Sequence, residues 1–370
     1  MKKIYIIAAA ALALAACSKT EVFAPETSPI DFAPNAMSTK ALVEGTVFPD
    51  ESFGVFAYAD LEDGNGIDYA NPVMDNVEIK KQGQDWKGVT TTAHPNPYMW
   101  TPTGFINFYA YYPLSLNASF ETSENEQQQH KGLHLTNVDL GATIGAQIDP
   151  MVACALGQQS SLKPIVALAF KHITSQIQVY AFDATTIESL RGHIIVQKVA
   201  FKNMKKAGSY VEGEVTGNGT WTPDAAYQEF VPYQTTSPTV LPKEKVLVSE
   251  NTYKPEEKNL SENSLFVVIP NHLAATDGTV IEVTYKTTAY DINGFHYPDS
   301  DSKTATIPLF DAQNPRISDN AFKNGKRYVF HLGITLDKAN NEIMFAPTVD
   351  DWSVEDVNGI TIDAVSSNLL

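Results

Sequence analysis

Few side chains in this sequence stand at spacings that could do chemistry, and each has a plainer reading beside it. His130 and His134, in HKGLH, have the i, i+4 spacing of two metal ligands on one helix face. Gly132 lies between them in a polar stretch where no helix is expected, so no metal is assigned. DLEDGNGID offers Asp60, Asp63, Asn65 and Asp68 as oxygen ligands at roughly calcium-loop spacing. It lacks the closing glutamate, and Asp-Gly and Asn-Gly are hairpin-turn residues, so the stretch reads as a turn. His172 lies in an apolar run and reads as a hydrogen-bonded core histidine. Trp86, Trp100, Trp221 and Trp352 could stack on sugar rings, or pack as core. A glycosidase pair cannot be picked from 43 acidic residues without geometry. No G-x-S-x-G elbow, H-E-x-x-H pair, Walker loop or G-x-G-x-x-G fingerprint occurs. No catalytic residue and no cofactor is therefore assigned, and nothing here reads as an enzyme.

The clearest chemistry belongs to a cysteine. Lys2 and Lys3 open an apolar run, Ile4 to Ala16, that ends in small residues and then Cys17. The run is shorter than the roughly 20 residues a membrane helix needs, and its charged start and small-residue end fit an export signal. Leu14-Ala15-Ala16-Cys17 resembles the lipobox of bacterial lipoproteins. That resemblance implies a signal peptide of residues 1–16, cleavage between Ala16 and Cys17, and acylation (palmitate or a similar chain) at Cys17. Two or more acyl chains give stable anchoring where one does not. SKTE, directly after Cys17, is similar to the short charged signal that takes lipoproteins to the outer face of the outer membrane. The remaining cysteine, Cys154, then has no partner for a disulfide and no nearby base to activate it; it reads as a small buried residue.

Composition narrows the partners. The formal charge is −17, and no basic run offsets it, which argues against nucleic acid and against an anionic membrane surface. The length is too great for one ordinary core and suits two domains. Residues 17–44 carry Pro25, Pro29 and Pro34 and few large apolar side chains; they read as a tether with at most one short strand, at IDFAP or ALVEGTV. Beyond it, short strand-like runs recur between turn signals, with no helical stripe and no repeat. SFGVFAYAD sets Phe53, Val55, Ala57 and Ala59 on one face, and FINFYAYYP is apolar on both faces, as a buried central strand would be. VALAFKHITSQIQVYAF, 166–182, reads as one long strand bulged near His172. IEVTYKT alternates, with Ile281, Val283 and Tyr285 inward. The polar GQQSSLKP, 157–164, is the expected seam, giving domains of 45–160 and 161–370. The expected class is all-β, as two tandem sandwiches.

Over nearly its whole length the chain resembles the fimbrillins, the pilins of Bacteroidales. The likeness rests on the order of CSKTE, FGVFAY, NFYAYYP, DPMVA, LAFKHITSQIQV, a strand ending IPN, KRYVFHLGITL and TVDDWSV. It implies two transthyretin-like Greek-key β-sandwich domains, export as an outer-membrane lipoprotein, and assembly into surface fimbriae that support adhesion. It also implies that a protease removes an N-terminal strand and that a strand of the next subunit fills the groove. Such head-to-tail contacts do not close, and so make filaments. Family stalk pilins are cut after an arginine, but this chain has none before Arg191; the matching bond is Lys40–Ala41. Either that bond is cut, or the subunit stays uncut and lipid-held, or Lys40 is an ordinary loop lysine. The tail VNGITIDAVSSNLL has Ile360, Ile362 and Ala364 on alternate positions, as a donor strand or a final edge strand would. Expected partners are other pilin subunits, outer-membrane lipid through Cys17, and a host or bacterial surface receptor. Two further readings stand beside the fimbrial one: a surface glycan-binding lipoprotein, which needs exposed aromatic platforms, and a lipid-anchored hydrolase, which needs clustered carboxylates or histidines.

Overall fold

The computed structural model describes residues 28–36, 52–62, 64–122, 132–159, 165–185, 192–213, 216–242, 245–249, 252–262, 264–289, 301–335 and 343–351. Cys17, Lys40, Ala41, Asp63, His130, Trp352, Ile360, Ile362 and Ala364, with the ALVEGTV stretch, lie outside them. The described chain is all-β, with only two short 3-10 turns.

The first unit is a closed barrel. Its strands are β1 (Asp31–Ala36), β2 (Phe53–Asp60), β3 (Met74–Gln82), β4 (Asp85–Gly88), β5 (Phe105–Tyr112), β8 (Met151–Gln158) and β9 (Ile165–His172), in the order β1-β4-β3-β2-β5-β8-β9 and back to β1. Inward residues alternate along each strand, as a pleated backbone requires. Phe53, Val55, Ala57 and Ala59 of β2 meet Ile106, Phe108 and Ala110 of β5, with Trp86, Trp100, Val166, Leu168 and Phe170 completing the core. The outer faces of β2 and β5 are buried too, which is why their sequences are apolar throughout. Gly54 is needed there, because a Cβ on it would stand 2.2 Å from the Tyr111 ring.

What covers that outer face is a four-stranded sheet drawn from both halves of the chain. β6 (Asn117–Glu121) and β7 (Gly132–Asp139) come from the first half, β12 (Ala207–Val211) and β13 (Thr220–Pro223) from the second, in the order β13-β12-β7-β6. β7 and β12 pair antiparallel, from Ala207 opposite Asp139 to Val211 opposite His134. Their inner residues Leu133, Leu135, Val138, Tyr210 and Trp221 pack on Phe56, Tyr58, Tyr111 and Val152 of the barrel, and on Ile173, Val267 and Ile269 beyond it.

The second unit is a sandwich. One sheet holds β10 (Ser175–Asp183), β17 (Lys258–Asn259), β18 (Phe266–Val268), β21 (Lys326–Ile334) and β22 (Ile343–Asp351); the other holds β11 (Gly192–Met204), β14 (Gln228–Val240), β19 (Val280–Ala289) and β20 (Lys303–Pro308). β15 (Lys245–Ser249) and β16 (Thr252–Pro255) form a separate hairpin. Ile281, Val283 and Tyr285 point into the core between the sheets, as their alternation predicts, beside Phe201, Phe230, Phe266 and Phe330.

Two expectations change. The run 166–182 is not one bulged strand: it breaks at Ile173–Thr174 into β9 of the barrel and β10 of the sandwich. Ile173 is fully buried, and the Thr174 carbonyl accepts from Gly325 N at 2.9 Å, so both units hold the break. The polar stretch 157–164 accordingly joins two barrel strands, and the chain passes between the units further on, at the Ile173 step. Because β7–β12 pairing ties the halves together, calorimetry of the lipid-free chain is expected to show one unfolding transition. Two separated transitions would mean that the shared sheet does not couple them.

Candidate assembly site

The first described strand occupies a distinctive place. β1 closes the barrel between β4 and β9, parallel to β9 over Asp31–Ala36 and antiparallel to β4 only at Asp31 and Phe32. It makes the one parallel pairing among the described barrel strands, a ladder slightly weaker per residue than an antiparallel one. Pro34, which has no N–H, falls beyond the last residue paired with β4. β9, in turn, pairs with β8 only at Lys171 and His172. Along Ile165–Phe170 its ladder is made with β1.

Side chains and flanking backbone hold β1 in this slot. Ile30 and Phe32 are buried, and the Phe32 ring stands edge-on to Phe53 at 6.3 Å and to Phe108 at 5.6 Å. Ile30 N donates to Tyr98 O at 2.8 Å, and Trp100 N donates to Ser28 O at 3.1 Å. At the rim, Asp31 lies 4.0 Å from Lys87; partial burial raises its carboxyl above the usual range, against the pull of that lysine. Taking β1 away would open a slot floored by Phe53, Phe108, Trp86 and Phe170, with backbone edges on both sides.

On the outer face, under the shared sheet, sits a buried carboxylate. Glu212 accepts from the Tyr210 hydroxyl at 2.8 Å and from Gly217 N at 2.8 Å. Burial pushes its pKa up to about 7, while those two donors and the nearby Lys171 charge pull the other way. The same burial, with Glu212 adding, drives the Tyr210 hydroxyl upward and the Cys154 thiol up to about 12. Cys154 is thus an inert, partly buried thiol facing the sheet, in keeping with its sequence context.

Between the units lies a polar clamp. Gln147 uses its side-chain amide like a strand, donating to Val267 O at 2.8 Å and accepting from Val267 N at 2.9 Å. Asp149 accepts from the Thr174 hydroxyl at 2.9 Å, and its other oxygen lies 2.8 Å from Nδ1 of buried His172. Trp221 Nε1 donates to Ile173 O at 2.6 Å. His172 is therefore a partnered core residue, as its surroundings suggested.

The other residues singled out in the sequence fall apart spatially. Asp60 Oδ1 accepts from Glu62 N, while Asp68 accepts from Ala70 N, Asn71 N and the Asn71 side chain; these are turn-closing contacts. His134 is buried on β7, and no group of three or more metal-type side chains occurs among the described residues. Trp86, Trp100 and Trp221 are all core residues. Of the clamp only His172 was picked out by sequence reasoning; Gln147, Asp149, Thr174 and Glu212 were not, and only the apolar neighbours of Glu212 in GSYVEGEV hint at burial.

The sequence from 39 to 352 matches the fimbrillin-like family, which is most of the chain, and the chain belongs to that family. Comparison with curated protein sequences gives no match. Among solved structures it is similar to a fimbrial protein from Bacteroides vulgatus, with 16% identity and a TM-score of 0.55 over 87% of this chain and 99% of that one. At that identity the likeness is one of fold. The tip fimbrial protein Mfa3 from Porphyromonas gingivalis aligns at 9% identity and TM-score 0.39, over 88% of this chain and 99% of that one. The fimbrial anchor protein Mfa2 of the same organism aligns at 14% identity and TM-score 0.30, over 88% of this chain and 98% of that one.

Two outcomes follow from this geometry. Phe32→Ala is expected to destabilise the chain by about 3–5 kcal/mol and to raise hydrogen exchange most along Ile165–Phe170, read by mass spectrometry. Uniform exchange would deny β1 its special hold on β9. Glu212 has a folded pKa above its ordinary 4.5, so its penalty is absent at low pH and grows as pH rises from about 4.5 to about 7. Glu212→Gln should therefore add on the order of 2 kcal/mol at pH 8 and almost nothing near pH 4.5, in urea titrations. An equal effect at both pH values would refute the assignment.

Proposed function

We propose that this chain is a fimbrial subunit, exported as a lipoprotein through Cys17 and assembled at the cell surface by exchange of β1 for a strand of the next subunit. Membership of the fimbrillin-like family supports the fimbrial part. No helix among the described residues is long and apolar enough to cross a membrane, so the acyl chains at Cys17 would supply the anchorage. The observation that carries the exchange reading is the position of β1. It ends at Ala36, just before the Lys40–Ala41 bond, and it closes a barrel that the other described strands leave open. Cutting after Lys40 would release the lipid, the tether and β1 together.

A replacement strand gains backbone hydrogen bonds of about 0.5–1.5 kcal/mol net each. It gains more by refilling the place of Phe32, since burying one phenylalanine contributes about 1.5–3 kcal/mol. The tail with Ile360, Ile362 and Ala364 on alternate positions is the segment we assign as donor, its partner being the slot of the next subunit.

The test is limited trypsin treatment of the folded, lipid-free precursor, followed by mass spectrometry and size-exclusion chromatography. First cleavage at Lys40–Ala41 and growth of the 41–370 product into multimers is the expected result. Lys40→Gln should stay whole and monomeric, and Ile362→Asp should be cut but fail to polymerise. A Lys40–Ala41 bond that resists while the chain stays monomeric would remove the exchange mechanism from this subunit.

A further inference from the structure

β1 and the residues leading into it are held unevenly. At Ser28–Ile30 the chain lies antiparallel to Tyr98–Trp100, with Pro29 opposite Met99 and the two cross-chain hydrogen bonds on either side of that pair. At Asp31 and Phe32 there is a partner on both edges, β4 and β9. From Ala33 to Ala36 only β9 pairs with β1 among the described strands, and it does so in parallel, the weaker arrangement. The buried anchors, Ile30 and Phe32, both fall in the doubly held part; Ala33 is exposed and Pro34 only half-buried.

Tyr98–Trp100 is itself firmly set. Trp100 is a core residue, its ring edge-on to Phe108 at 5.9 Å. The Tyr98 ring lies over Gly88 of β4, where a Cβ would come within 2.5 Å of it. The His94 ring stacks on Tyr98 at 4.2 Å. The turn that presents His94 is closed on itself: Thr91 N donates to His94 O at 3.0 Å, and His94 N donates to Thr91 O at 3.1 Å.

A strand held tightly at one end and loosely at the other opens from the loose end, since only a few local contacts break at each step. Opening from Ser28 would instead expose Ile30 and Phe32 before any of the weaker ladder had gone. We propose that Tyr98–Trp100 is a latch: β1 peels from Ala36 toward Ser28, and this segment releases it last. The consequence for assembly rests on the exchange reading above. Lys40 lies four residues past Ala36, so a cut there frees the loose end. An incoming strand then enters beside Phe170 of β9 and advances toward Ile165 as β1 withdraws.

The latch is tested without cleavage, by hydrogen exchange resolved to single amides, on the full-length, lipid-free Cys17→Ser chain. The Ile30 and Trp100 amides should exchange at least about tenfold more slowly than those of Ala33 and Asn35, which alternation along the strand turns toward β9. Equal rates, or the reverse order, would overturn the proposal. Pro29 and Met99 form a non-hydrogen-bonded pair, in which Cα atoms stand about 4.5 Å apart, close enough for a disulfide. Oxidising Pro29→Cys/Met99→Cys should leave exchange at Ala33 and Asn35 within about twofold of the reduced chain, because peeling starts at the other end. Slowing of those amides by about tenfold would mean that opening starts at Ser28, and would also overturn it. After trypsin, the oxidised chain should stay monomeric and the reduced chain should form multimers; multimers from both would show that the latch need not open. If the reduced chain resists the cut or stays monomeric, the exchange reading fails, and the amide rates still decide the latch.

Discussion

Along Ile165–Phe170, strand β9 has a hydrogen-bonding partner because β1 lies beside it. The architecture of the first unit rests on that pairing. Without it the barrel is an open sheet with a bare edge at each end, and its aromatic interior around Phe53 and Phe108 faces water. An unpaired edge next to an apolar slot is the kind of surface that recruits another strand. In the exchange proposed above, β1 would be the partner that a strand of the next subunit replaces.

The rest of the molecule keeps the barrel in shape around that slot. The outer faces of β2 and β5 are covered by a sheet to which both halves contribute, so the barrel wall is braced from behind by Leu133, Leu135 and Tyr210. The clamp of Gln147, Asp149, His172 and Thr174 fixes the passage to the sandwich with directional contacts, where apolar packing alone would permit sliding. Burying Glu212 in that brace opposes folding at neutral pH, but Tyr210 and the 217–219 turn are ordered around its oxygens.

Strand identity was legible in the sequence wherever alternation or two-sided burial was strong. The period of two in IEVTYKT and the doubly apolar FINFYAYY placed their residues on the correct faces; Trp86, Trp100 and Trp221 proved to be packed, and His172 packed and partnered. The break at Ile173–Thr174 was not legible, because two residues between two strands of the same pattern leave the alternation nearly intact. Nor was the shared sheet: β7 and β12 lie far apart in sequence, and nothing local in either marks the other as its partner. For the same reason the Gln/Ser-rich stretch after β8 looked like a seam. Polarity marks a turn, and cannot say whether the strands it joins belong to one sheet. The lipidation, cleavage and donor positions rest on motif and pattern, and lie outside the described residues.

The step from β9 to β10 has a mechanical meaning. β9 borders the slot; two residues on, the chain becomes β10, which pairs along its length with β21, itself paired with the last described strand, β22. In a filament joined as proposed, a pull on one subunit enters along β9 and leaves along β22. Ladders that run along the direction of such a pull would have their hydrogen bonds loaded in shear and would share the force. A ladder pulled from one end across its rungs would fail one bond at a time. In such a filament the run from β9 to β10 would carry that load through the subunit, and the polar clamp sits at its break.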